Sequence, residues 1–328
     1  MGRSPNVNSQ LALSIVTPVK NRVDMVDACI VSAAEQSKSP FRSVEHLFVD
    51  GNSTDGTVER IESYQHCSLL PQKVTGIYDG MNAGIRAAKG DIICILNSDD
   101  QLAPDALEAV YQGFRDHPDA EVIAGRASVR DVEQPHVSLR HLPTPHDEGV
   151  NEWPVLLWGG VAINARFFRR QVFEKIGLFN TELSLASDRE HLIRQRLAGI
   201  RSHSVDHVLY HYTAHKGSAT MGQKNRNAMI VLNEHVSIMD WLRPQITTDS
   251  KGLSSLRKWA AIELSRRAIL KYRSQDWSGA MTDLARATSY CWRTSRYVVY
   301  HEGIAAPSRA KVSPPQPEAA EGVFRTAR

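Results

Sequence analysis

Two stretches of this chain place acidic residues directly behind apolar ones: Leu47-Phe48-Val49-Asp50 and Cys94-Ile95-Leu96-Asn97-Ser98-Asp99-Asp100. A carboxylate at the end of a buried strand can accept hydrogen bonds from a ribose or a base, and paired carboxylates can hold a hard divalent cation. Each stretch also has a plainer reading. Asp50-Gly51-Asn52-Ser53 makes a turn and a helix cap, and Asn97-Ser98-Asp99-Asp100 caps a helix starting near Pro104. A third acidic group, Asp188-Arg189-Glu190, opens a helical pattern that runs to Ala198 and stops at Gly199. Glycine-rich phosphate loops are missing. Thr17-Pro18-Val19-Lys20-Asn21-Arg22 follows the first strand without the G-x-G-x-x-G of a dinucleotide site, and no Walker loop occurs. Hydride transfer and P-loop chemistry fall away.

The elements that must position these groups alternate. Leu11 to Thr17 reads as a buried strand closed by Pro18, and Asp24 to Gln36 as a helix through Val26, Ile30 and Ala33-Ala34. Val44 to Asp50 is a second strand, Val58 to about Tyr64 a helix, Asp91 to Leu96 a fully apolar strand and Glu121 to Gly125 another. Helices are expected at Phe168–Lys175 and Asp188–Ala198, and a surface loop over the Pro- and His-rich stretch His136 to Trp153. Strands apolar on both faces, interleaved with helices, predict an α/β fold with a mostly parallel central sheet. In such sheets ligands bind at the carboxyl ends of the strands. Here those ends are Thr17-Pro18, Asp50 and Asn97 to Asp100.

The chain has 328 residues, 42% hydrophobic and 23% charged, with a formal net charge of +3. That composition is of the ordinary globular kind and excludes a nucleic-acid coat or an acidic disordered chain. No apolar run approaches the ~20 residues of a membrane-spanning helix, and the first residues lack a secretory signal and a myristoylation pattern. Four scattered cysteines without a C-x-x-C pair point to a reduced, cytoplasmic setting. The charge is unevenly divided. From residue 251 onward there are 14 Lys and Arg against 6 Asp and Glu, a net of +8; the first 250 residues hold 25 against 30, a net of −5. The basic part reads as helices from Leu253 to Tyr272 and from Trp277 onward, joined by Ser274-Gln275-Asp276, with a Pro/Ala-rich end expected to be disordered. The division expected is a loose N-terminus over 1–10, a nucleotide-binding domain over 11–245, a helical extension over 246–301 and a disordered tail over 302–328.

The motifs, in their order, resemble those of family 2 glycosyltransferases, in the bacterial polysaccharide-type branch. The resemblance is carried by Ser14-Ile15-Val16-Thr17-Pro18-Val19-Lys20-Asn21, Phe48 to Thr57, Gly76-Ile77-Tyr78-Asp79-Gly80-Met81-Asn82-Ala83-Gly84-Ile85, Leu96 to Asp100, and Phe173 to Asn180 followed by Ala186-Ser187-Asp188-Arg189-Glu190. It covers about residues 11–220. It implies a GT-A fold and an inverting, metal-dependent transfer from a nucleotide-sugar donor to a glycan, lipid-linked in many relatives. By position, Thr17, Pro18, Asn21 and Asp50 would line the base and ribose pocket, with Ser53 supporting that turn. Asp79 and Asn82 would reach the base or sugar from the next loop. The D-x-D metal motif falls on Asn97-Ser98-Asp99, so Asn stands at its first position. Asp99 would then hold Mg²⁺ or Mn²⁺, with Ser98 and Asp100 beside the donor. Asp188 would be the catalytic base, exposed to the cleft and kept ionised by a helix N-terminus; capping that helix is its plainer role. Glu190 would face elsewhere. His211 is the further metal-ligand candidate, with His215 in the same stretch, and Lys216 a diphosphate contact. Trp158 would stack on a sugar or lie in the core.

Two rival classes are a non-catalytic nucleotide-sugar-binding protein, supported only by Asn97, and a nucleotidyltransferase, whose Gly-rich phosphate loop this chain lacks. The basic, aromatic stretch 251–301 has two readings as well. It would lie on an anionic membrane surface near a lipid-linked acceptor, or pack on the catalytic domain with a solvated basic face.

Overall fold

The computed structural model describes residues 11–36, 39–70, 74–131, 138–141, 149–159, 162–215 and 227–290. Nine strands form one sheet: β1 (Ala12–Val19), β2 (Ser43–Asp50), β3 (Cys67–Leu70), β4 (Ile92–Ile95), β5 (Gln101–Leu102), β6 (Val122–Asp131), β7 (Ser138–His141), β8 (Arg166–Arg169) and β9 (Ser202–Ala214). Their order is β3-β2-β1-β4-β8-β6-β9-β5, with β7 paired to β6. Pairings among β1 to β4 are parallel. β8 is inserted antiparallel between β4 and β6, and β6 pairs parallel with β9. The helices are α1 (Val26–Ala34), α2 (Thr57–Glu62), α3 (Ile77–Ala87), α4 (Ala106–Asp116), α5 (Trp153–Trp158), α6 (Arg170–Ile176), α7 (Ser187–Leu197), α8 (Ala228–Leu242), α9 (Ser250–Arg273) and α10 (Trp277–Tyr290).

The expected α/β architecture is present, and the two-residue period of a strand explains it. Ile15, Ile92, Cys94 and Phe167 point into one core with α1 and α4, while Val16, Ile93, Ile95 and Phe168 point into a second with α3, α5 and α6. Both faces must therefore be apolar, which is what made these strands visible. α3 lies close on β1 because Gly84 has no side chain: a Cβ there would sit 2.3 Å from Val16 Cγ1. Gly199, at φ +66°, follows α7 in the left-handed conformation that the sequence pattern anticipates.

Several local expectations are corrected. Phe168 does not begin a helix: Arg166–Arg169 is β8, since Phe167 and Phe168 are fully buried on opposite faces, and the helix starts at Arg170. The segment Gly76–Ile85 is mostly helix rather than loop. β3 escaped notice because it is only four residues long, and the long β9 because its polar, His-containing sequence lacks a sustained apolar run.

The C-terminal helices form where expected, and Asp249 caps α9 by accepting from Gly252 N at 2.8 Å. Leu256, Trp259, Ala260, Leu264 and Ala287 belong to the same core as Ile93 and Phe168. Several of the basic residues proposed for a membrane face are committed to internal pairs instead. Arg267 makes two bonds to Asp283, at 2.7 and 2.6 Å, Lys271 joins the same carboxylate at 2.9 Å, and Arg266 bonds Glu263 at 3.0 Å. Trp259 is buried, whereas Trp277 is 57% exposed. Trp292, Arg293, Arg296, Tyr297 and Tyr300 lie outside the described residues. Among the described residues no helix is long and apolar enough to cross a membrane.

Candidate active site

The loops after β1 and β2 are stitched together by their polar residues. The Asp50 carboxylate accepts from Asn52 N at 3.0 Å, Ser53 N at 3.0 Å and Ser53 Oγ at 2.6 Å. Ser53 Oγ in turn accepts from Asn21 N at 2.9 Å, and Asn21 Oδ1 accepts from Thr54 N at 2.9 Å. Asn21 and Asn52 hold positive φ values of 50° and 67°, which short polar side chains tolerate better than most. Asn21, Asp50 and Ser53 thus meet at the carboxyl edge of the sheet, as the motifs required.

Other predicted pocket residues point inward. Thr17 is fully buried with its hydroxyl 2.9 Å from His46 Nε2, a ring whose burial lowers its pKa to about 3 and keeps it neutral. Its side chain cannot line a pocket. Pro18 is buried on β1 beneath the start of α3. Asn82 is also corrected: it donates to Phe179 O at 2.8 Å and accepts from Phe179 N at 2.9 Å, holding the segment ahead of α7 rather than reaching outward. Asp79 accepts from Thr75 N at 2.9 Å at the start of α3.

The acidic loop behind β4 divides its two carboxylates between two tasks. Asp100 is buried and accepts from Tyr210 Oη at 2.8 Å, Thr213 N at 2.8 Å and Asn97 Nδ2 at 3.0 Å. Burial and then the charge of Asp99 raise its pKa to about 7, against those three hydrogen bonds. It ties the loop to β9 and presents no open face. Ser98 is buried too. Asp99 remains partly exposed, with His215 Nε2 at 3.0 Å and Arg22 Nε at 3.8 Å from its Oδ2.

His211, the metal-ligand candidate, is not brought to Asp99; His215 stands there instead. On β9 alternate side chains face opposite sides. Tyr210 and Tyr212 face the acidic loop and Asn164, so His211 turns away and meets Ser128 Oγ at 2.7 Å. Beyond Ala214 the strand ends, the alternation lapses, and His215 can reach Asp99. Lys216 lies outside the described residues. Among those described, no three His, Cys, Asp or Glu side chains form a ready metal cage. Asp99 and His215 offer two ligands of suitable chemistry; a hard cation there would complete its shell with phosphate oxygens and water.

Asp188 lies in the first turn of α7. Its Oδ1 is 3.4 Å from Tyr78 Oη and accepts from Arg189 N at 2.7 Å. The expectation of an exposed, helix-stabilised carboxylate needs amending. Asp188 is partly buried, and burial raises its pKa despite the opposing charge of Arg189 and the hydrogen bonds. Arg189 is itself held to the carbonyls of Leu156 and Gly159 and lies over the Trp259 ring at 5.7 Å. Glu190 faces away, bonded to Arg194 at 2.7 Å. Tyr212 stands close enough to both Asp100 and Asp188 for their charges to raise its pKa, after burial, so one ring lies near both acidic loci. Trp158 is neither core nor free: it is 39% exposed, donates to Ser255 O at 3.2 Å and carries Lys258 Nζ 5.1 Å from its ring centre.

A residue absent from the motif pattern sets the start of α7. Glu234, on α8, accepts from Ser184 N at 2.7 Å, Ser184 Oγ at 2.6 Å, Leu185 N at 2.9 Å and Ala186 N at 2.8 Å. Ala186, the N-cap, has no capping side chain of its own. Glu234 caps the helix from 48 residues downstream of it, a distance no local signal spans. Tyr210, Tyr212 and Arg22 were missed for the same reason.

Residues 14–177, half of the chain, match the family described as Glycosyl transferase family 2. The chain belongs to that family. It is a glycosyltransferase. A PGL/p-HBAD biosynthesis glycosyltransferase of Mycobacterium tuberculosis is 26% identical over 187 residues, 55% of this chain and 68% of that protein. An uncharacterized glycosyltransferase of Haemophilus influenzae is 27% identical over 186 residues, 56% of this chain and 61% of that one. The fold is shared with S. aureus TarS 1–349 in complex with UDP-GlcNAc, at TM-score 0.55 and 16% identity, over 85% of this chain and 92% of that one. It is shared likewise with the mannosyltransferase PcManGT from Pyrobaculum calidifontis in complex with GDP-Man and Mn²⁺, at TM-score 0.54 and 16% identity, over 88% and 84%. The GT-A fold expected from the motifs is therefore the fold of this glycosyltransferase.

Proposed function

We propose that this glycosyltransferase moves one sugar, with inversion, from a nucleoside-diphosphate sugar to a hydroxyl of a glycan, lipid-linked in its setting, at the inner membrane face in polysaccharide biosynthesis. The observation that carries the reading is a pair of acidic loci near Tyr212: the loop that holds Asp99 beside Arg22 and His215 and ends in Asp100, and Asp188 with its raised pKa. The loop built from Asn21, Asp50 and Ser53 offers the base and ribose a rigid edge of polar groups. Structural neighbours bound to UDP-GlcNAc and to GDP-Man with Mn²⁺ support a nucleoside-diphosphate donor and a divalent ion.

Asp99 and His215 would hold Mg²⁺ or Mn²⁺, which when bound neutralises charge on the diphosphate. Arg22 adds a fixed positive charge on the same side. Asp188, deprotonated, takes the proton of the acceptor hydroxyl as that oxygen bonds to the anomeric carbon. The bond from that carbon to the phosphate oxygen breaks in the same displacement, and the nucleoside diphosphate leaves with the electron pair. Such base assistance is worth roughly 10²–10⁴-fold. A carboxylate of raised pKa is the better proton acceptor, so burial of Asp188 serves its role.

Asp188→Asn tests the assignment. Transfer should fall by roughly 10²–10⁴-fold while nucleotide binding, followed by thermal shift with UDP, GDP, dTDP and CMP with and without Mn²⁺, is retained. Unchanged turnover would remove Asp188 from the role. Failure of every nucleotide to stabilise the protein would count against the donor reading itself. Contact of residues 251–301 with an anionic surface is tested by co-sedimentation of the full chain with anionic and with neutral vesicles; equal recovery with both would remove it.

A further inference from the structure

Away from the acidic loci, a cavity of about 460 Å³ opens where α8, α9 and α10 converge. Its walls are Arg243, Arg257, Thr247 and Ser289; Leu253 and Leu256 form an apolar floor and Tyr290 closes one side. The size lies within the usual range of small-molecule sites. Two of its lining residues are cations. Elsewhere on these helices Arg266, Arg267, Lys271 and Arg286 each have a carboxylate within 3.0 Å. Arg243 and Arg257 have no carboxylate partner among the described residues. Arg243 is packed with its guanidinium carbon 5.8 Å from the centre of the Tyr290 ring.

Arg243 and Arg257 line one cavity, so a single anion bound there can meet both guanidinium groups. Planar forks of donors match phosphate oxygens closely. A carboxylate has only two oxygens to offer two forks, whereas a phosphate monoester has three terminal ones. The floor of Leu253 and Leu256, half-buried and buried, has no use for a hydrated inorganic ion but accepts a hydrocarbon chain.

We propose that the Arg243–Arg257 cavity is a binding site, separate from the transfer site, for a phosphate group carried on an apolar chain, as in a lipid phosphate. It stands independently of the role given to Asp188. Calorimetric titration of the full chain with geranyl phosphate, geraniol and inorganic phosphate tests it. Geranyl phosphate should bind saturably and more tightly than either fragment. Arg243→Gln combined with Arg257→Gln should weaken that binding at least tenfold. Lys251→Gln, another exposed cation of α9, should leave it within twofold. Both arginines are exposed, so the double variant should keep the wild-type melting temperature.

The source is separated with phosphatidylcholine vesicles, with and without phosphatidic acid, whose headgroup is a phosphate monoester. Arginine-dependent capture by the anionic vesicles assigns a membrane lipid, and geranyl phosphate binding without such capture assigns a soluble phosphate ester. Equal affinity for inorganic phosphate would overturn the apolar half of the assignment. Absence of binding, or binding that the double variant leaves intact, would overturn the site.

Discussion

Glu234→Ala removes one carboxylate and leaves four donors at the start of α7 without their acceptor. A hydrogen bond to a charged group contributes about 1.5–3 kcal/mol net, so four independent ones would total about 6–12 kcal/mol. That sum is out of reach. The four share two oxygens, Glu234 is only partly buried, and water can replace it on the freed N–H groups. An expected loss of about 3 kcal/mol remains, since the segment entering the helix also loses the negative charge held beside the N-terminus. In a chain of this size that corresponds to a melting temperature lower by about 5–10 °C. Denaturant unfolding measures the loss, and hydrogen exchange at Ser184, Leu185 and Ala186 locates it. Those three amides should exchange at least tenfold faster than the amides of β1, whose protection is unchanged. Turnover should fall with them, because Asp188 sits two residues beyond Ala186. Stability within about 0.5 kcal/mol of wild type, with unaltered exchange at 184–186, would refute the view that α8 sets the position of the base.

Four further outcomes follow from the same structure. In the proposed role Asp188 acts deprotonated, and its pKa is raised above the ordinary 3.8, so the acidic limb of the rate profile should lie above that value; a limb at or below it in kcat/KM against pH would count against the assignment. The same shift has a stability sign: the native state holds the Asp188 proton more tightly than the unfolded chain, so the ionised group costs stability above the native pKa and nothing below the ordinary one. Asp188→Asn should thus melt no lower than wild type at pH 7, with any gain vanishing near pH 3 in scanning calorimetry. Asp283→Ala leaves Arg267, 8% exposed, without its carboxylate; breaking such a pair costs about 3–5 kcal/mol, and adding Arg267→Met should recover much of it in urea titrations. Gly84→Ala forces a methyl to 2.3 Å from Val16 Cγ1 and 3.1 Å from Val49 Cγ2, so α3 must shift; overpacking of this kind costs about 1–3 kcal/mol, and equal stability would mean that α3 packs less tightly on β1.

The strands that build the carboxyl edge of the sheet were legible because each must satisfy two apolar faces at once: Val16 and Ile15, or Ile93 and Cys94, serve opposite cores. Asn21, Asp50 and Ser53 were legible because their contacts run between two short loops at neighbouring strand ends. Where the reading failed, a side chain's direction depended on a partner far along the chain. Thr17 belongs to a strong motif, yet its hydroxyl meets His46 inside the fold. Asn82 grips Phe179, 97 residues away.

The sequence by itself determined the alternation of strand and helix, the acidic strand ends and the family of the enzyme, since these follow from residue types at short spacing. Tertiary structure decided which side chains are available at the site. Asp99 and Asp100 are neighbours, yet one stays open beside His215 and Arg22 while the other is buried under Tyr210 and Thr213. It also decided the electrostatics of Asp188, whose helix N-terminus favours the charge but whose burial raises its pKa. The physical reason is common to both. Desolvation and hydrogen-bond partnership depend on everything packed around a group, and for these carboxylates that surrounding comes from β9, α8 and α3, remote in sequence and adjacent only in the fold.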